Sequence, residues 1–124
     1  MTAKQDSFIT KRIKSVGYAF KGAYLLVTTE ASLKLQFIIG VLMTIAGFYF
    51  KLSVTEWIIQ ILIIALIMAI EGLNTAIEEM ADFVHPEHHK KIGLIKDLAA
   101  GAVFIFAVAA VIVGLLIYVP KFSI

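Results

Sequence analysis

The sequence contains no cysteine, and only 16% of its 124 residues are charged. The absence of cysteine excludes disulfide bonds and thiol chemistry within this sequence. Apolar residues make up 60% instead, well above the roughly 45–50% of an ordinary soluble domain. We therefore predict one integral membrane domain over residues 1–124. The net charge of +2 indicates little by itself, and nucleic acid is not an expected partner.

Several common sequence signals are also missing. No GxxxxGK[ST] phosphate-binding loop occurs, and no glycine-rich loop follows a strand. No apolar run follows a basic start, so a cleaved signal peptide is not expected. Any nucleotide that binds would therefore be held by a metal, by lysines and by side-chain amides.

Long apolar runs are the main feature that is present. Only the last of three runs reaches by itself the about 20 residues that a membrane-crossing helix needs. The other two must extend into flanking sequence, and a tight turn, KLSVTE, separates them. We predict transmembrane helices over residues 35–52, 54–82 and 96–119.

Basic residues are distributed unevenly around these spans. Only Lys51 and Lys121 lie on one side, whereas nine basic residues lie on the other. Because cytoplasmic segments are enriched in lysine and arginine, this bias predicts a multi-pass membrane protein with a cytoplasmic N-terminus. The nine residues are Lys4, Lys11, Arg12, Lys14, Lys21, Lys34, Lys90, Lys91 and Lys96.

Residues 8–33 show helical periodicity without a membrane-spanning run. Apolar residues recur at helical spacing, and a second stripe carries lysines and Tyr18. This pattern predicts an amphipathic helix on the cytoplasmic leaflet. The lysines could serve only to attract anionic lipid.

The segment IEGLNTAIEEMAD carries acidic residues at the end of the second span. At about 100° per residue, Glu71, Asn74, Glu78 and Asp82 fall on one narrow stripe, and Glu79 points away. Carboxylates at membrane depth are costly, so the stripe predicts cation binding. A small number of hard oxygen ligands favours Mg²⁺, which commonly binds together with phosphate groups. The alternative is a solvated helix end, which explains Glu79 well.

Further polar residues lie on the same side of the membrane. Glu30 precedes the first span, and the segment IKDLAAGAV places Lys96 and Asp97 at the start of the third. Asp97 could be a helix N-terminal charge favoured by the helix dipole. The small residues after Asp97 would let another helix approach closely. The histidines at 85, 88 and 89 suggest either a metal cluster or, as we prefer, a solvated loop.

Three segments, KRIKSVGYAFKG, EGLNTAIEEMAD and KDLAAGAV, resemble the motifs of the prokaryotic diacylglycerol kinase and undecaprenol kinase family. They occur in the family's order and spacing, over roughly residues 11–119. The resemblance implies an all-α membrane protein in which a surface helix and three transmembrane helices form a homotrimeric bundle with sites shared between subunits. It also implies a lipid kinase that transfers the γ-phosphate of ATP–Mg²⁺ to a membrane lipid alcohol. The AAGAV and LKLQ segments favour undecaprenol as the acceptor, with diacylglycerol next.

The resemblance also implies roles for individual residues. Glu71 would be the general base that takes the proton of the lipid hydroxyl. Glu30 and Glu78 would hold the Mg²⁺ that bridges the ATP phosphates. The residues expected at ATP are Lys11, Tyr18, Glu30, Asn74, Glu78, Glu87, His88, His89, Lys96 and Asp97.

A different class of protein, a small proton-coupled transporter or channel subunit, also carries intramembrane acids. That interpretation predicts acids near the middle of the spans or on both sides of the membrane. The acids here cluster at one surface, beside lysines and an amphipathic segment, which favours the kinase.

Overall fold

The structure, a computed structural model, describes residues 7–122. Lys4, which contributes to the charge bias, lies outside the described residues. Within this range the chain forms four helices, three of which are long and apolar enough to cross a membrane. This confirms the predicted all-helical membrane protein with three candidate spans. The helices are α1 (Phe8–Thr29), α2 (Ala31–Tyr49), α3 (Val54–Val84) and α4 (Lys90–Phe122).

The break between α1 and α2 falls at Glu30, earlier than the predicted end of the surface helix at residue 33. The hydroxyls of Thr28 and Thr29 donate to the carbonyl oxygens of Tyr24 and Leu25, at 2.6 and 2.5 Å. These are local side-chain bonds to the preceding turn, which compete with the backbone pattern of a helix. Glu30 then adopts an extended backbone, with φ −94° and ψ 122°. Glu30 thus lies at the junction of the two helices.

A compact turn joins α2 to α3, and α2 ends at Tyr49 rather than at the predicted residue 52. Lys51 adopts a left-handed conformation with φ 55°, and the next N–H donates to the carbonyl of Gly47 at 3.1 Å. This is the usual way to end a helix, although glycine is more common at the left-handed position. Ser53 and Glu56 then form a capping box that starts α3.

The first turn of α4 begins at Lys90 rather than at the predicted residue 96. The Nδ1 atom of His89 accepts a hydrogen bond from the N–H of Lys91 at 3.0 Å. A ring nitrogen thereby satisfies one of the N–H groups that lack a partner within the helix. The loop after α3 is consequently short, since α3 itself continues to Val84.

The last turn of α4 continues past Pro120 to Phe122, whereas the prediction ended the helix at residue 119. Proline lacks an N–H, but its φ is compatible with a helix. The Nζ atom of Lys121 lies 3.1 Å from Oε1 of Glu56 on α3, and the Phe122 ring contacts the Phe50 ring at 5.0 Å. These tertiary contacts explain why the helix extends beyond the proline.

The spanning helices pack as α2 on α3 and α3 on α4, with α1 against α2. Gly72 of α3 is buried beneath Leu26 of α1, since a Cβ there would lie 2.9 Å from Leu26 Cδ1. Gly40 similarly allows Ile64 to approach, at 3.0 Å from a Cβ position. Gly72 thus permits α1 and α3 to approach each other directly beside Glu71, and Gly40 permits a close approach of α2 and α3.

A buried polar network joins the spanning helices at the end away from the acidic segment. Gln60, which is 6% exposed, donates from Nε2 to the carbonyl oxygen of Met43 at 2.9 Å. The hydroxyl of Tyr118 donates to Oε1 of Gln60 at 2.5 Å. The amide of this intramembrane glutamine is therefore satisfied on both sides, as a low-dielectric environment requires.

The contact between Gly47 and Trp57 gives a stability prediction. A Cβ at position 47 would lie 2.6 Å from Trp57 Cη2, so Gly47→Ala should force the ring to move and cost about 1–3 kcal/mol. We expect a lower melting temperature in detergent. Gly17→Ala is the control, because a Cβ there meets nothing within 4 Å. Equal melting temperatures for Gly47→Ala and the wild type would contradict this contact between Gly47 and Trp57.

Candidate active site

Glu71 lies on the part of α3 that faces α2. Helix α3 is unbroken from Val54 to Val84, so the acidic stripe lies along one helix as predicted. The Glu71 side chain is half-buried, and its Oε1 accepts a hydrogen bond from Nε2 of Gln36 at 3.2 Å. The packing of α2 on α3 therefore fixes the position of this carboxylate.

Two buried acceptor atoms flank Glu71. The Oδ1 atom of Asn74 and the Oε1 atom of Gln36 are both buried without a hydrogen-bond partner. An unpaired buried acceptor costs about 1–3 kcal/mol, and native structures seldom leave one without a ligand, ion or water. This part of the helix pair thus offers oxygen atoms to a cation or to a hydrogen-bond donor.

The predicted metal ligands come from two elements. Glu30 is half-buried at the junction of α1 and α2, and Glu78 is exposed on α3. Within residues 7–122, no group of three or more acidic, histidine or cysteine side chains converges as a metal site. Mg²⁺ is commonly held by one or two carboxylates together with substrate phosphates. The donor set of Glu30, Glu78 and the unpaired Asn74 oxygen fits that mode of binding.

A polar cleft of about 270 Å³ forms where α3 ends and α4 begins. It brings together four of the residues that were predicted to contact ATP, namely Glu87, His88, His89 and Lys96. The cleft also includes Asp82, whose Oδ1 lies 2.5 Å from Nζ of Lys96. The lysine is held by a carboxylate at the edge of a water-accessible cleft, where it can meet an anionic group.

The histidines of this loop make local contacts. Nδ1 of His85 lies 2.8 Å from the carbonyl oxygen of Glu87, and the rings of His85 and His89 are 5.0 Å apart. Because His89 also caps α4, its Nδ1 is occupied. Within residues 7–122 these histidines form no metal cluster, so the alternative of a metal site in this loop lacks support.

The other predicted residues lie outside the cleft. Lys11 and Tyr18 are exposed on α1, and Asp97 is exposed on α4. The alternative explanation of Asp97 as a helix-terminal charge is wrong, because α4 begins at Lys90. Asp97 therefore lies in the third turn, and the dipole effect is confined to the first.

An apolar groove of about 430 Å³ runs between α2, α3 and α4. At one end it is lined by Gln36, which is bonded to Glu71, and at the other by Gln60 and Ile117. Gly114 widens it, since a Cβ there would meet nothing within 4 Å. The half-buried carboxylate thus lies at the end of a groove that suits a hydrocarbon chain.

Sequence reasoning did not assign site roles to two residues of this region. Asp82 was part of the acidic stripe, and only the structure shows that it binds Lys96. Gln36 was quoted within LKLQ without a role. An amide inside an apolar run is costly in a membrane, and that signal could have identified it.

Comparison with known proteins agrees with the motifs. Residues 17–118 match the family described as prokaryotic diacylglycerol kinase. The chain is 38% identical over 113 residues to an undecaprenol kinase of Bacillus subtilis, covering 91% of this chain and 92% of that protein. It is 29% identical over 110 residues to a diacylglycerol kinase of Escherichia coli, covering 89% and 90%. A diacylglycerol kinase of Synechocystis shares 34% identity over 107 residues, which are 86% of this chain and 61% of that protein. The chain belongs to the prokaryotic diacylglycerol kinase family.

Proposed function

We propose that this member of a lipid kinase family is a Mg²⁺-dependent enzyme that transfers the γ-phosphate of ATP to undecaprenol, with diacylglycerol as the second acceptor. One observation carries the proposal. Glu71 is bonded to Gln36 at the end of the apolar groove, and the same helix continues to Asp82, which lines the polar cleft. Glu71 and Asp82 are separated by roughly 16 Å along that helix. A membrane-bound hydroxyl and a water-soluble nucleotide can therefore meet along one face.

The preference for undecaprenol has two supports. The relative with 38% identity is named an undecaprenol kinase, whereas those with 29% identity are named diacylglycerol kinases. The AAGAV and LKLQ segments favour the same acceptor. Membership of a kinase family leaves the transporter or channel alternative without support.

In this mechanism Glu71 accepts the proton of the lipid hydroxyl, and the resulting oxygen attacks the γ-phosphorus of ATP. A new oxygen–phosphorus bond forms as the bond to the β-phosphate oxygen breaks, and ADP leaves. Phosphoryl transfer depends mainly on alignment and on neutralisation of phosphate charge. Lys96, oriented by Asp82 at 2.5 Å, supplies positive charge, while the loop at Glu87 and His88 and the exposed Lys11, Tyr18 and Asp97 position the nucleotide.

Glu30 and Glu78 would hold Mg²⁺, with Asn74 as a further oxygen donor or as a contact to the nucleotide. When bound, Mg²⁺ supplies positive charge to the phosphate oxygens of ATP. Glu71 and Glu78 are two turns apart, roughly 10 Å along the helix axis. That separation lets one carboxylate act on the proton while the other acts on the metal.

The proposed assembly is a homotrimer in which each site draws residues from two subunits. Three spanning helices in one chain do not enclose a site, and within residues 7–122 the acidic side chains do not converge. The small residues at 99–102 form a surface that a helix of another subunit can approach. A Cβ at Gly101 meets nothing within 4 Å in this chain, which leaves that surface open.

Helix α1 is proposed to lie on the cytoplasmic leaflet. It contains no buried residue, and its exposed lysines suit anionic lipid headgroups. The lysine and arginine bias supports the same proposal, in which the N-terminus and the loop after α3 face the bacterial cytoplasm. The nucleotide side of the site then faces the compartment that contains ATP.

The test of this function is an acceptor comparison. Purified protein in mixed micelles with ATP–Mg²⁺ should phosphorylate undecaprenol with a higher kcat/KM than diacylglycerol. Removal of Mg²⁺ with a chelator should abolish both reactions, and re-addition should restore them. A clear preference for diacylglycerol would overturn the choice of acceptor, and no phosphorylation of either lipid would overturn the proposed activity.

A further inference from the structure

We propose that Gln36 is a positioning residue for the general base: its side-chain amide holds one carboxylate oxygen of Glu71, so that the other faces the acceptor hydroxyl. The inference rests on the proposed role of Glu71. It assigns a function to a residue of α2 that lies in the LKLQ segment and had no predicted role.

The geometry carries this assignment. Nε2 of Gln36 lies 3.2 Å from Oε1 of Glu71, and the contact is partly buried between α2 and α3. A carboxylate oxygen can only accept, so the amide nitrogen of Gln36 must point towards it. The reverse orientation would place two oxygens against each other. The orientation of the amide is therefore fixed by chemistry.

Donation by Gln36 has two effects on Glu71. It gives the half-buried carboxylate a hydrogen-bond donor. It also restricts rotation of the carboxylate, whose terminal torsion is otherwise broad. The second oxygen is left to receive the proton of the acceptor, and Gln36 itself lines the groove from which that acceptor would arrive.

Other charged groups are present on the elements around Glu71, but Gln36 is the side chain that the structure shows bonded to it. On α4, Lys96 is bonded to Asp82. The neighbouring charged residues at this end of the helices are Lys21, Glu30, Lys34, Glu78, Glu79, Asp82, Lys96 and Asp97. Substitution of Gln36 leaves all of them in place, so a loss of kcat reports on the Gln36–Glu71 contact.

Two substitutions test the assignment. Gln36→Met keeps the approximate size and removes the donor, whereas Gln36→Glu places a second carboxylate against Glu71. We expect kcat to fall roughly tenfold in Gln36→Met, a part of the full contribution of a general base. The KM for ATP should not change. The kcat should fall further in Gln36→Glu, because its carboxylate cannot donate to Glu71 and repels it.

Gln60→Met is the matched control. Gln60 is also a buried intramembrane glutamine, but its partners are Met43 and Tyr118 at the other end of the bundle. Its substitution should lower the melting temperature in detergent, with a smaller loss of kcat than in Gln36→Met. A loss of kcat in Gln60→Met equal to that in Gln36→Met would show a general packing effect and would overturn the assignment.

The outcomes separate this inference from the proposed function. If Glu71→Gln is inactive and both Gln36 variants keep the wild-type kcat, the positioning role is wrong and the base assignment stands. If Glu71→Gln keeps wild-type turnover, the base assignment is wrong. A reduced kcat with unchanged KM for ATP, larger than the loss in Gln60→Met, supports the inference.

Discussion

Glu71→Gln should lower turnover by roughly 10² or more while leaving the affinity for ATP–Mg²⁺ nearly unchanged. The substitution preserves the size of the side chain and its ability to accept from Gln36, but it removes the proton acceptor. Because Glu71 lies at the end of the apolar groove, it would contact the lipid hydroxyl and not the nucleotide. The measurement is single-turnover phosphoryl transfer together with ATP binding in one lipid system.

Glu78→Gln is the informative comparison on the same stripe. It removes charge from a proposed metal ligand, so both the affinity for ATP–Mg²⁺ and turnover should fall. Glu79→Gln is the control, because Glu79 is exposed and points away from the stripe. Loss of nucleotide binding in Glu71→Gln with intact binding in Glu78→Gln would reverse the two roles. A loss of turnover in Glu79→Gln as large as in the other two variants would contradict the placement of the functional residues on one stripe.

Mixing two inactive variants should restore activity if the sites are shared between subunits. Glu30→Gln and Glu71→Gln each lack one residue of a composite site. If each site takes Glu30 from one subunit and Glu71 from its neighbour, random mixing in equal amounts completes about one quarter of the sites, for a ring of any size. Activity should therefore rise from near zero to about one quarter of the wild-type value.

The control for this experiment is the double variant Glu30→Gln/Glu71→Gln mixed equally with wild type. For shared sites, this mixture should also retain about one quarter of the activity. If both residues act within one subunit, the mixture of single variants should stay inactive and the control should retain about one half. That second pattern, in mixed oligomers whose composition is verified by mass, would overturn the shared site.

The features that could be predicted from sequence were those with a repeating physical signature. The three candidate spans follow from apolar length, and the placement of Glu71, Asn74 and Glu78 on one unbroken helix follows from helical periodicity. Family motifs added the roles of residues on separate helices, which periodicity cannot relate.

Helix ends were less predictable because single side-chain contacts determine them. The predicted boundaries are wrong at the extended backbone of Glu30, at the ring of His89 before α4 and at the ion pair of Lys121 with Glu56. The hydrogen bond between Gln36 and Glu71 could not be predicted from the sequence for the same reason. It depends on the register of α2 against α3, which no pattern within either helix specifies.

The two ion pairs between α3 and α4 have a consequence for motion. Glu56 binds Lys121 near one end of α3, and Asp82 binds Lys96 near the other. These positions are separated by roughly 39 Å along the helix, close to the thickness of a bilayer with its headgroups. Partly exposed pairs add little stability, but two of them so far apart oppose axial sliding of α4 along α3. Any movement that opens the groove to a lipid would therefore have to occur without axial sliding of α4 against α3.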